Sequence, residues 1–355
     1  PGFVNCHNHL SMTLFRNYAD DMKLMDWLFT KIFPLEDKLT AETARLGAEL
    51  ALCEMIRSGT TLTADMYFFM DQVAEAVGQS GLKGALSRGL QGDSEEGLDY
   101  RLAENLEFHK KYHGSFDGRL KAMLGPHAVY TCTPGYLRKV SRYAGENGIA
   151  IQMHLSETRD EVANCVSQFG KTPIQLAHEC GLLEKTTLAA HGVVLNDRDI
   201  EILKEIGASV AHNPCSNMKL ASGIAPVSRL ISEGINVSLG TDGAASNNKL
   251  DMMQEIRMAT YLQKVSLEDP TALPVDQVLK MATINGAKAL GFERTGMLKE
   301  GWDADLVVFD TRKANWYPTY NYKSALVYSA SSGDIESVMV PVSYTHLRAH
   351  ETVLD

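Results

Sequence analysis

The sequence predicts an α/β fold: a (β/α)8 barrel of the TIM type, followed by a small β region at the C-terminal end. Short β-prone runs alternate with longer amphipathic stretches along most of the chain, which is typical of parallel α/β architectures. Residue types that bind metals recur where the predicted strands end. A doubly wound open sheet is the structural alternative.

Eight β-prone runs are the candidate strands of the barrel. In chain order they are Phe3–Asn8, Thr61–Met66, Leu82–Leu90, Leu120–Gly125, Ile149–Leu155, Thr187–His191, Ala208–His212 and Asn236–Thr241. Eight strands alternating with helices is the number that a closed barrel needs.

Two of the intervening helices have clear signals. The first is predicted over residues 41–58, because Thr40 can cap its start and Gly59 follows its end. The side chains that we expect it to bury are Leu46, Leu50, Cys53 and Met55 or Ile56. The second helix is predicted from Leu250 to Val265.

The pattern changes near Thr295. A turn-rich segment is followed by two further strand-like runs, Leu306–Asp310 and Ile335–Val340. We therefore divide the chain into a barrel over residues 1–294, a partial β domain over 295–340 and a tail over 341–355 that continues neither pattern.

Composition and charge exclude several classes of protein. The chain has 355 residues with 45% hydrophobic and 22% charged content, which is ordinary for a globular protein. It carries 44 acidic against 34 basic residues, which argues against nucleic acid or a membrane surface as the main partner. Six scattered cysteines without a Cys-x-x-Cys pair predict a reducing, cytoplasmic location.

Five predicted strands end in polar residues that suit a metal site. His7 and His9 follow the first strand and point to the same face, because side chains on a strand alternate. The other four strand ends carry His154 with Glu157, His191, His212 and Asp242. Each alone has a plainer explanation as a hydrogen-bonded strand-end residue, a turn or a helix cap. Together, at one rim, three histidines and one aspartate complete a mononuclear, zinc-like site with room for water.

The same rim supplies groups for acid–base chemistry. A divalent ion lowers the pKa of its water toward ~7, and Asp242 can contact both ion and water as the base. Glu157 lies three residues after His154 and can protonate a ring nitrogen of a substrate. His191 can hydrogen-bond the water and stabilise the developing oxyanion.

Five segments together resemble the amidohydrolase superfamily. They are Pro1–His9, Met153–Glu157, Ala190–Gly192, Ala211–Pro214 and Gly240–Gly243. The similarity is strongest to the aminohydrolases and chlorohydrolases of purine and triazine rings, and among these to 5-methylthioadenosine/S-adenosylhomocysteine deaminases. It extends from Pro1 to about Val340.

This resemblance implies the ligands, roles and reaction. The implied metal site is one divalent ion, most suitably Zn²⁺ with Fe²⁺ or Mn²⁺ as alternatives, held by His7, His9, His154 and Asp242. The implied catalytic residues are Glu157, His191 and Asp242. The implied reaction is hydrolytic deamination of an adenosine-type nucleoside (5-methylthioadenosine, S-adenosylhomocysteine or adenosine) to its inosine analogue, with release of ammonia.

The resemblance also implies substrate contacts besides Glu157. Glu36 matches a glutamate that holds the ribose hydroxyls, Arg88 an arginine that contacts the tail of the substrate, and His127 a further contact. Without the resemblance we would interpret these residues as a surface carboxylate, a solvated arginine and a strand-end histidine.

Two alternative functions stay open. The same chemistry can act on another ring (guanine, a pterin or an s-triazine), although a ribose-binding Glu36 would then have no use. A truncated, non-catalytic barrel is the alternative of another class. The predicted partner is a small purine nucleoside, without nucleic acid or membrane, and a homo-oligomer stays open.

Two departures from the family pattern concern the chain ends. Family members carry strands before the His-x-His pair that complete a small composite β domain, and we expect this chain to lack them. The resemblance therefore implies that residues 295–340 are the remnant of that domain, a partial β-sandwich without its N-terminal strands. The tail over residues 341–355 does not match, and we interpret it as non-native.

Overall fold

The structure is a computed structural model that describes residues 1–341 and 343–346. Its strands are β1 (Phe3–Asn5), β2 (Thr60–Tyr67), β3 (Lys83–Leu90), β4 (Leu120–Ala122), β5 (Gly125–Pro126), β6 (Gln152–Leu155), β7 (Leu188–His191), β8 (Ser209–His212), β9 (Asn236–Leu239), β10 (Leu306–Phe309), β11 (Ile335–Val340) and β12 (Ser343–His346). Each of the barrel strands expected from the sequence overlaps one of these, which confirms the predicted order of strands.

Helices connect the strands. They are α1 (Leu24–Trp27), α2 (Phe33–Glu36), α3 (Ala41–Arg57), α4 (Met70–Ser80), α5 (Tyr100–Tyr112), α6 (Ser115–Gly118), α7 (Pro134–Asn147), α8 (Arg159–Phe169), α9 (Pro173–Glu179), α10 (Asp197–Ile206), α11 (Pro214–Lys219), α12 (Val227–Ser232), α13 (Met252–Leu267), α14 (Val275–Met281), α15 (Ile284–Ala289) and α16 (Tyr322–Tyr328). Short 3₁₀ turns cover Leu10–Phe15, Ala314–Trp316 and Ser332–Asp334, and a π-helical turn covers Leu28–Ile32.

The strands up to β9 pair in parallel. One sheet has the order β1-β2-β3-β4, with β5 also pairing with β3, and another has the order β6-β7-β8-β9. A parallel bridge between Leu124 and Ile151 connects the first sheet to the second. At the opposite edges, the Cys6 N–H donates to the Leu239 carbonyl at 2.8 Å. Parallel order brings the C-terminal ends of these strands to the same side, where ligands bind in such folds.

Both faces of the central strands are covered. All eight residues of β2 and all eight of β3 are buried, as expected for parallel strands packed between helices and a core. Helices α7, α8, α9 and α10 pack on the second sheet through the largest apolar cluster, which includes Leu137, Val140, Ile174 and Leu203. The polar residues at the strand ends are therefore held by a rigid frame.

Helix α3 begins and ends as predicted but buries a different face. The Thr40 side chain accepts from the Thr43 N–H and caps the helix. The expected buried stripe was wrong in part: Met55 is buried, but Leu46 and Leu50 are about half exposed, at 54% and 53%, and Cys53 is exposed. The buried positions are Ala44, Gly47, Ala48, Ala51, Leu52 and Met55. Small residues are needed there because the 3₁₀ turn after β1 packs very closely; a Cβ on Gly47 would lie 2.7 Å from the Ser11 carbonyl oxygen.

The C-terminal strands form an antiparallel sheet in the order β10-β11-β12. A buried lysine at the start of β3 attaches the segment that leads into this sheet. Lys83 Nζ donates to Thr295 Oγ1 at 2.8 Å and to Asp303 Oδ2 at 2.9 Å, and it also contacts Asp305. The division of the chain at residue 294 stays a prediction, since this contact crosses it.

The predicted tail is only partly within the described residues. Ser343–His346 pairs antiparallel with β11, whereas residues 342 and 347–355 lie outside the described part, so the interpretation as non-native stays a prediction. Across the residues described, no helix combines the length and apolarity needed to cross a membrane. The six cysteines are free thiols, five of them buried.

Candidate active site

Four ligand-type side chains converge where the parallel strands end. His7 and His9 follow β1, His154 lies in β6, and Asp242 follows β9. The Asp242 N–H donates to the His7 carbonyl at 2.9 Å, so the first and last of these strand ends are joined directly. Asp242 has a left-handed φ of 62°, a conformation that turns its carboxylate toward the two histidines.

The ligand atoms of these four residues lie within 4.8 Å of one another. Asp242 Oδ1 is 3.2 Å from His9 Nε2 and 3.5 Å from His7 Nε2. His154 Nε2 is 3.3 Å from His9 Nε2. Nitrogen and oxygen atoms at these separations can share one ion at zinc-ligand distances of about 2.0–2.2 Å.

Hydrogen bonds behind the rings select the tautomers that a metal needs. His9 Nδ1 lies 2.7 Å from the Met66 carbonyl oxygen, and His154 Nδ1 lies 2.8 Å from the His127 carbonyl oxygen. A carbonyl can only accept, so each Nδ1 carries the proton and each Nε2 presents a lone pair to the centre.

The environment of the histidines fits a divalent cation. Both ring nitrogens of His7 are buried without a hydrogen-bond partner among the described residues. Burial lowers the pKa of His7 to about 4 and takes the pKa of His154 well below its usual range, so both are neutral. Burial also opposes charge on His9, but its bond to Asp242 raises the pKa of His9 to about 9. A cation at the centre would displace that proton.

The second carboxylate oxygen of Asp242 is held by hydroxyls. Ser216 Oγ donates to Asp242 Oδ2 at 2.6 Å, and Ser246 Oγ donates to the same oxygen at 2.7 Å. Oδ1 faces the histidines and also accepts from the Gly243 N–H at 2.8 Å. One oxygen is therefore directed at the metal position while the other is connected to neutral donors.

Glu157 and His191 lie beside the metal position. Their side chains approach to 3.7 Å between Glu157 Oε2 and His191 Nε2, and both are buried. Burial raises the pKa of Glu157 above its usual value, which favours the protonated form that a general acid needs. Asn217 Oδ1 lies 2.9 Å from His191 Nδ1 and so assigns the His191 proton to Nδ1.

A largely apolar cavity opens onto these groups. His9, His154, Glu157, His191 and Asp242 form its floor. Its apolar wall contains Leu24, Trp27, Leu28, Phe33, Phe68 and Leu220. The cavity therefore combines flat aromatic surfaces with a few polar groups, as is typical of small-molecule sites.

Two of the three substrate contacts expected from the family pattern line this cavity. Glu36 is half-buried, and its pKa is raised by burial. The Tyr67 hydroxyl donates to Glu36 Oε1 at 2.8 Å. His127 also lines the cavity, with Nδ1 2.9 Å from Thr131 Oγ1. Burial lowers the pKa of His127 to about 3, so it is neutral.

The structure does not bring Arg88 into the cavity lining. Its guanidinium pairs with Glu104 at 2.7 Å and lies 5.5 Å from the centre of the Phe68 ring, behind the cavity wall. Arg101 lines a second, more polar cavity that shares Gln91 and Tyr130 with the first. Within the described residues, no carboxylate forms an ion pair with Arg101.

Sequence reasoning missed several side chains of the site. Tyr67 ends β2, so the strand-end rule that found His154 could have found it. Asn217 and Ser246 lie four or five residues beyond strand-end motifs, in an Asn-Pro-Cys-Ser-Asn segment and an Asp-Gly-Ala-Ala-Ser segment. Nothing in the sequence pattern distinguishes Arg101 from a surface arginine, because only its position beside the second cavity does so.

Comparisons with known proteins agree with this geometry. The sequence profile of the amidohydrolase family matches residues 1–341. A 5-methylthioadenosine/S-adenosylhomocysteine deaminase of Dictyoglomus thermophilum is 51% identical over 343 residues, covering 96% of this chain and 80% of the relative. A 5'-deoxyadenosine deaminase of Methanosarcina barkeri is 51% identical over 341 residues, covering 96% and 79%.

Among solved structures, an adenosine deaminase from Xanthomonas campestris with bound zinc superposes with a TM-score of 0.92 at 35% identity. The match covers 97% of this chain and 79% of that protein. Its zinc agrees with one divalent ion at the cluster of His7, His9, His154 and Asp242.

Proposed function

The chain belongs to the amidohydrolase family, and from this premise we propose that it is a metal-dependent hydrolytic deaminase of adenosine-type nucleosides. One observation carries the proposal. Three of the four cluster residues, the buried Glu157–His191 pair and Glu36 all line a single aromatic cavity. The deaminase names of relatives at 51% identity support the same reaction.

The cluster residues hold the cofactor. His7, His9, His154 and Asp242 would bind one divalent ion, most suitably zinc, although iron and manganese accept the same donors. When bound, such an ion lowers the pKa of a water molecule toward ~7 and so supplies a nucleophile at neutral pH.

The protein groups then move protons. Asp242 receives the proton of the attacking water, with its Oδ2 stabilised by two serine hydroxyls. His191 Nε2 accepts a hydrogen bond from the attacking water, because Asn217 keeps the ring proton on Nδ1. In this tautomer Nε2 has no proton to donate, so we give His191 the role of orienting the water rather than the oxyanion contact expected from the sequence. These two contacts orient the water for attack on the ring carbon that carries the amino group.

Glu157 completes the reaction as the acid. Its protonated carboxyl donates to the ring nitrogen next to the attacked carbon, which makes that carbon electrophilic. A C–O bond forms, Asp242 returns its proton to the departing amine, and the C–N bond breaks to release ammonia. The remaining proton of the new hydroxyl passes to Glu157, which restores the acid and leaves a carbonyl beside the protonated ring nitrogen. The product is the inosine-type analogue.

Substrate orientation follows from the cavity walls. We place the ribose hydroxyls on Glu36, which is held by Tyr67, and a further polar contact on His127. The tail beyond the ribose would extend toward the second cavity, where Arg101 can meet a negatively charged group. Arg88 is then a support behind Phe68, rather than the contact that the family pattern implied.

The proposal also covers the barrel that carries the site and the compartment in which the enzyme acts. We propose that β1 to β9 close into a single barrel, supported by the Leu124–Ile151 bridge and the Cys6–Leu239 bond. We also propose a cytoplasmic enzyme, supported by six free thiols. That the partner is a small molecule rather than a nucleic acid stays a prediction, and the oligomeric state stays open.

An ammonia-release assay tests the function directly. The zinc-loaded protein is given 5-methylthioadenosine, S-adenosylhomocysteine, adenosine and guanine. We expect turnover of at least one nucleoside and none of guanine. Turnover of guanine alone would favour the alternative of another ring. No turnover, together with less than one divalent ion per chain after zinc, iron or manganese is supplied, would favour a non-catalytic barrel.

Glu36→Ala separates nucleosides from free bases. Loss of activity confined to nucleosides supports a ribose contact. Unchanged activity of Glu36→Ala on nucleosides would contradict it.

A further inference from the structure

Glu161 is a buried carboxylate to which the proposed reaction gives no role. It occupies the third position of α8, and only 2% of it is exposed. Asp160, its neighbour in the same helical turn, is exposed. A glutamate at this position usually reaches back to the N–H of the capping residue, in what is called a capping box.

The Glu161 carboxylate reaches further back than a capping box. Thr158 Oγ1 accepts from the Glu161 N–H at 3.1 Å, which is the usual half of the box. The carboxylate instead binds the two residues before Thr158. Its Oε1 accepts from the Ser156 N–H at 3.2 Å, and its Oε2 accepts from the Glu157 N–H at 2.6 Å.

The segment that Glu161 binds needs support. Ser156 has a φ of 55°, in the left-handed region that is unfavourable for a residue with a Cβ. This turn directs the next side chain, Glu157, away from the strand and into the cavity. The N–H groups of both residues donate to Glu161, so one carboxylate holds the two successive peptide units that lead into the catalytic acid.

The charge of Glu161 has no basic counterpart. Within the described residues, no lysine or arginine forms an ion pair with it, and its bonds come from backbone N–H groups. Burial and the neighbouring Glu157 raise the pKa of Glu161 to about 7. A buried carboxylate without a cation is costly, and its contacts concentrate on the Glu157 turn.

We propose that Glu161 is a positioning residue that holds Glu157 at the ring nitrogen of the substrate. The inference rests on the proposed deaminase function. A misplacement of about 1 Å can cost about a hundredfold in rate, whereas binding through Glu36, His127 and the aromatic wall does not depend on this turn. Loss of Glu161 should therefore lower kcat and leave KM nearly unchanged.

Glu161→Gln and Glu161→Asp test the role, with Asp160→Asn as the matched control. The amide keeps the shape but loses one acceptor, and the aspartate keeps the charge but is too short to reach both N–H groups. We expect kcat to fall about tenfold to a hundredfold in both, with KM within about threefold and zinc content unchanged. The control should retain wild-type kcat. Wild-type kcat in both variants, or a fall accompanied by zinc loss or an equal rise in KM, overturns the proposal.

Hydrogen–deuterium exchange provides a readout that does not depend on activity. We expect the backbone of residues 152–158 to exchange faster in Glu161→Gln than in wild type and Asp160→Asn. Unchanged exchange there overturns the role of Glu161, whatever the kinetics. A wild-type protein that turns over no nucleoside refutes the proposed function instead, so the two failures are distinguishable.

Discussion

The Tyr67 hydroxyl donates a 2.8 Å hydrogen bond to Glu36 Oε1, and this bond connects two elements of the site that are far apart in the chain. Tyr67 ends a buried central strand, whereas Glu36 ends a short helix that follows a π-helical turn. A residue of the buried strand thus helps to position the Glu36 carboxylate. π-Helical turns are frequent at functional sites, and here the turn forms part of the cavity wall.

Tyr67→Phe is expected to raise KM for nucleosides about fivefold. The change removes one hydrogen bond of about 1 kcal/mol, and Glu36 is then less well oriented toward the ribose. The effect on kcat should be small, since the groups at the metal position are untouched. Steady-state kinetics with 5-methylthioadenosine measure both constants.

Tyr112→Phe is the matched control for this substitution. Its hydroxyl donates to Glu75 at 3.1 Å in another part of the protein. KM should stay at the wild-type value. An unchanged KM in Tyr67→Phe as well would contradict the role given to the bond.

Removal of divalent ions should abolish activity and lower Tm. The chelated protein buries an imidazole without a hydrogen-bond partner among the described residues at His7, and any ion that binds only the folded state contributes stability. His154→Ala should retain less than half of the bound zinc, as measured by elemental analysis. His109→Ala, on α5, should keep the full content, and equal zinc in both variants would rule out the ligand assignment.

Asn217→Ala should lower kcat about tenfold to a hundredfold, the range seen when outer partners of site histidines are removed. Without the acceptor at Nδ1, the His191 ring can rotate or change tautomer, and its Nε2 no longer faces the attacking water. The exposed Asn147, which donates to the Tyr143 carbonyl, supplies the control Asn147→Ala. A wild-type kcat in Asn217→Ala would show that His191 needs no such orientation.

Arg101→Ala should discriminate between substrates by their tails. We expect kcat/KM for S-adenosylhomocysteine, whose tail carries a carboxylate, to fall about tenfold or more, since charge-assisted bonds are strong. 5-Methylthioadenosine, with an uncharged tail, should be affected less than twofold. Arg88→Ala is the comparison variant. An equal loss of kcat/KM on both substrates in Arg101→Ala would contradict a role of the Arg101 guanidinium in recognising the tail.

Stability should fall as pH rises through the neutral range. Burial raises the pKa of Glu255 from 4.5 to about 8, and those of Asp65 and Glu161 to about 7. Between the unfolded and folded pKa values the native protein holds protons that the unfolded chain has released, so each unit of pH costs stability. The contribution of these three carboxylates declines from about pH 4 to about pH 8. The histidines whose pKa burial lowers, such as His7 and His127, contribute the opposite slope below about pH 6.5, so the net fall is expected above that pH.

Glu255→Gln tests the sign of this dependence. The amide mimics the protonated acid, so the free energy of unfolding should depend less on pH between 5 and 8 than in wild type. Part of the slope persists, because Asp65 and Glu161 still titrate. The exposed Glu184→Gln should keep the wild-type slope. A steeper slope in Glu255→Gln would show that Glu255 is ionised in the native state.

Strand order and ligand identity could be predicted from the sequence because both follow local rules. A buried strand is a short apolar run, and its C-terminal end lies at a shared rim, which was enough to group the candidate histidines with Asp242. The family resemblance then selected His7, His9 and His154 from that group. The buried face of α3 could not be predicted, because it depends on the close approach of another turn to Gly47. Hydrophobicity alone favoured the leucines.

Residues that support the catalytic side chains were equally hard to predict from the sequence. Asn217 and Glu161 act through contacts that depend on loop geometry, and neither residue type signals a site by itself. Arg101, which lines the second cavity, could be identified only after the direction of each side chain was known. Family resemblance selected Arg88, whose guanidinium lies behind an aromatic ring.

The bond between the Asp242 N–H and the His7 carbonyl means that the ligand set is assembled from opposite ends of the folding unit. During synthesis, His7 and His9 are made first, and almost the whole series of strands follows before their carboxylate partner Asp242 is added. Zinc uptake should therefore be a late event, and a nascent chain arrested before residue 242 should bind the ion weakly.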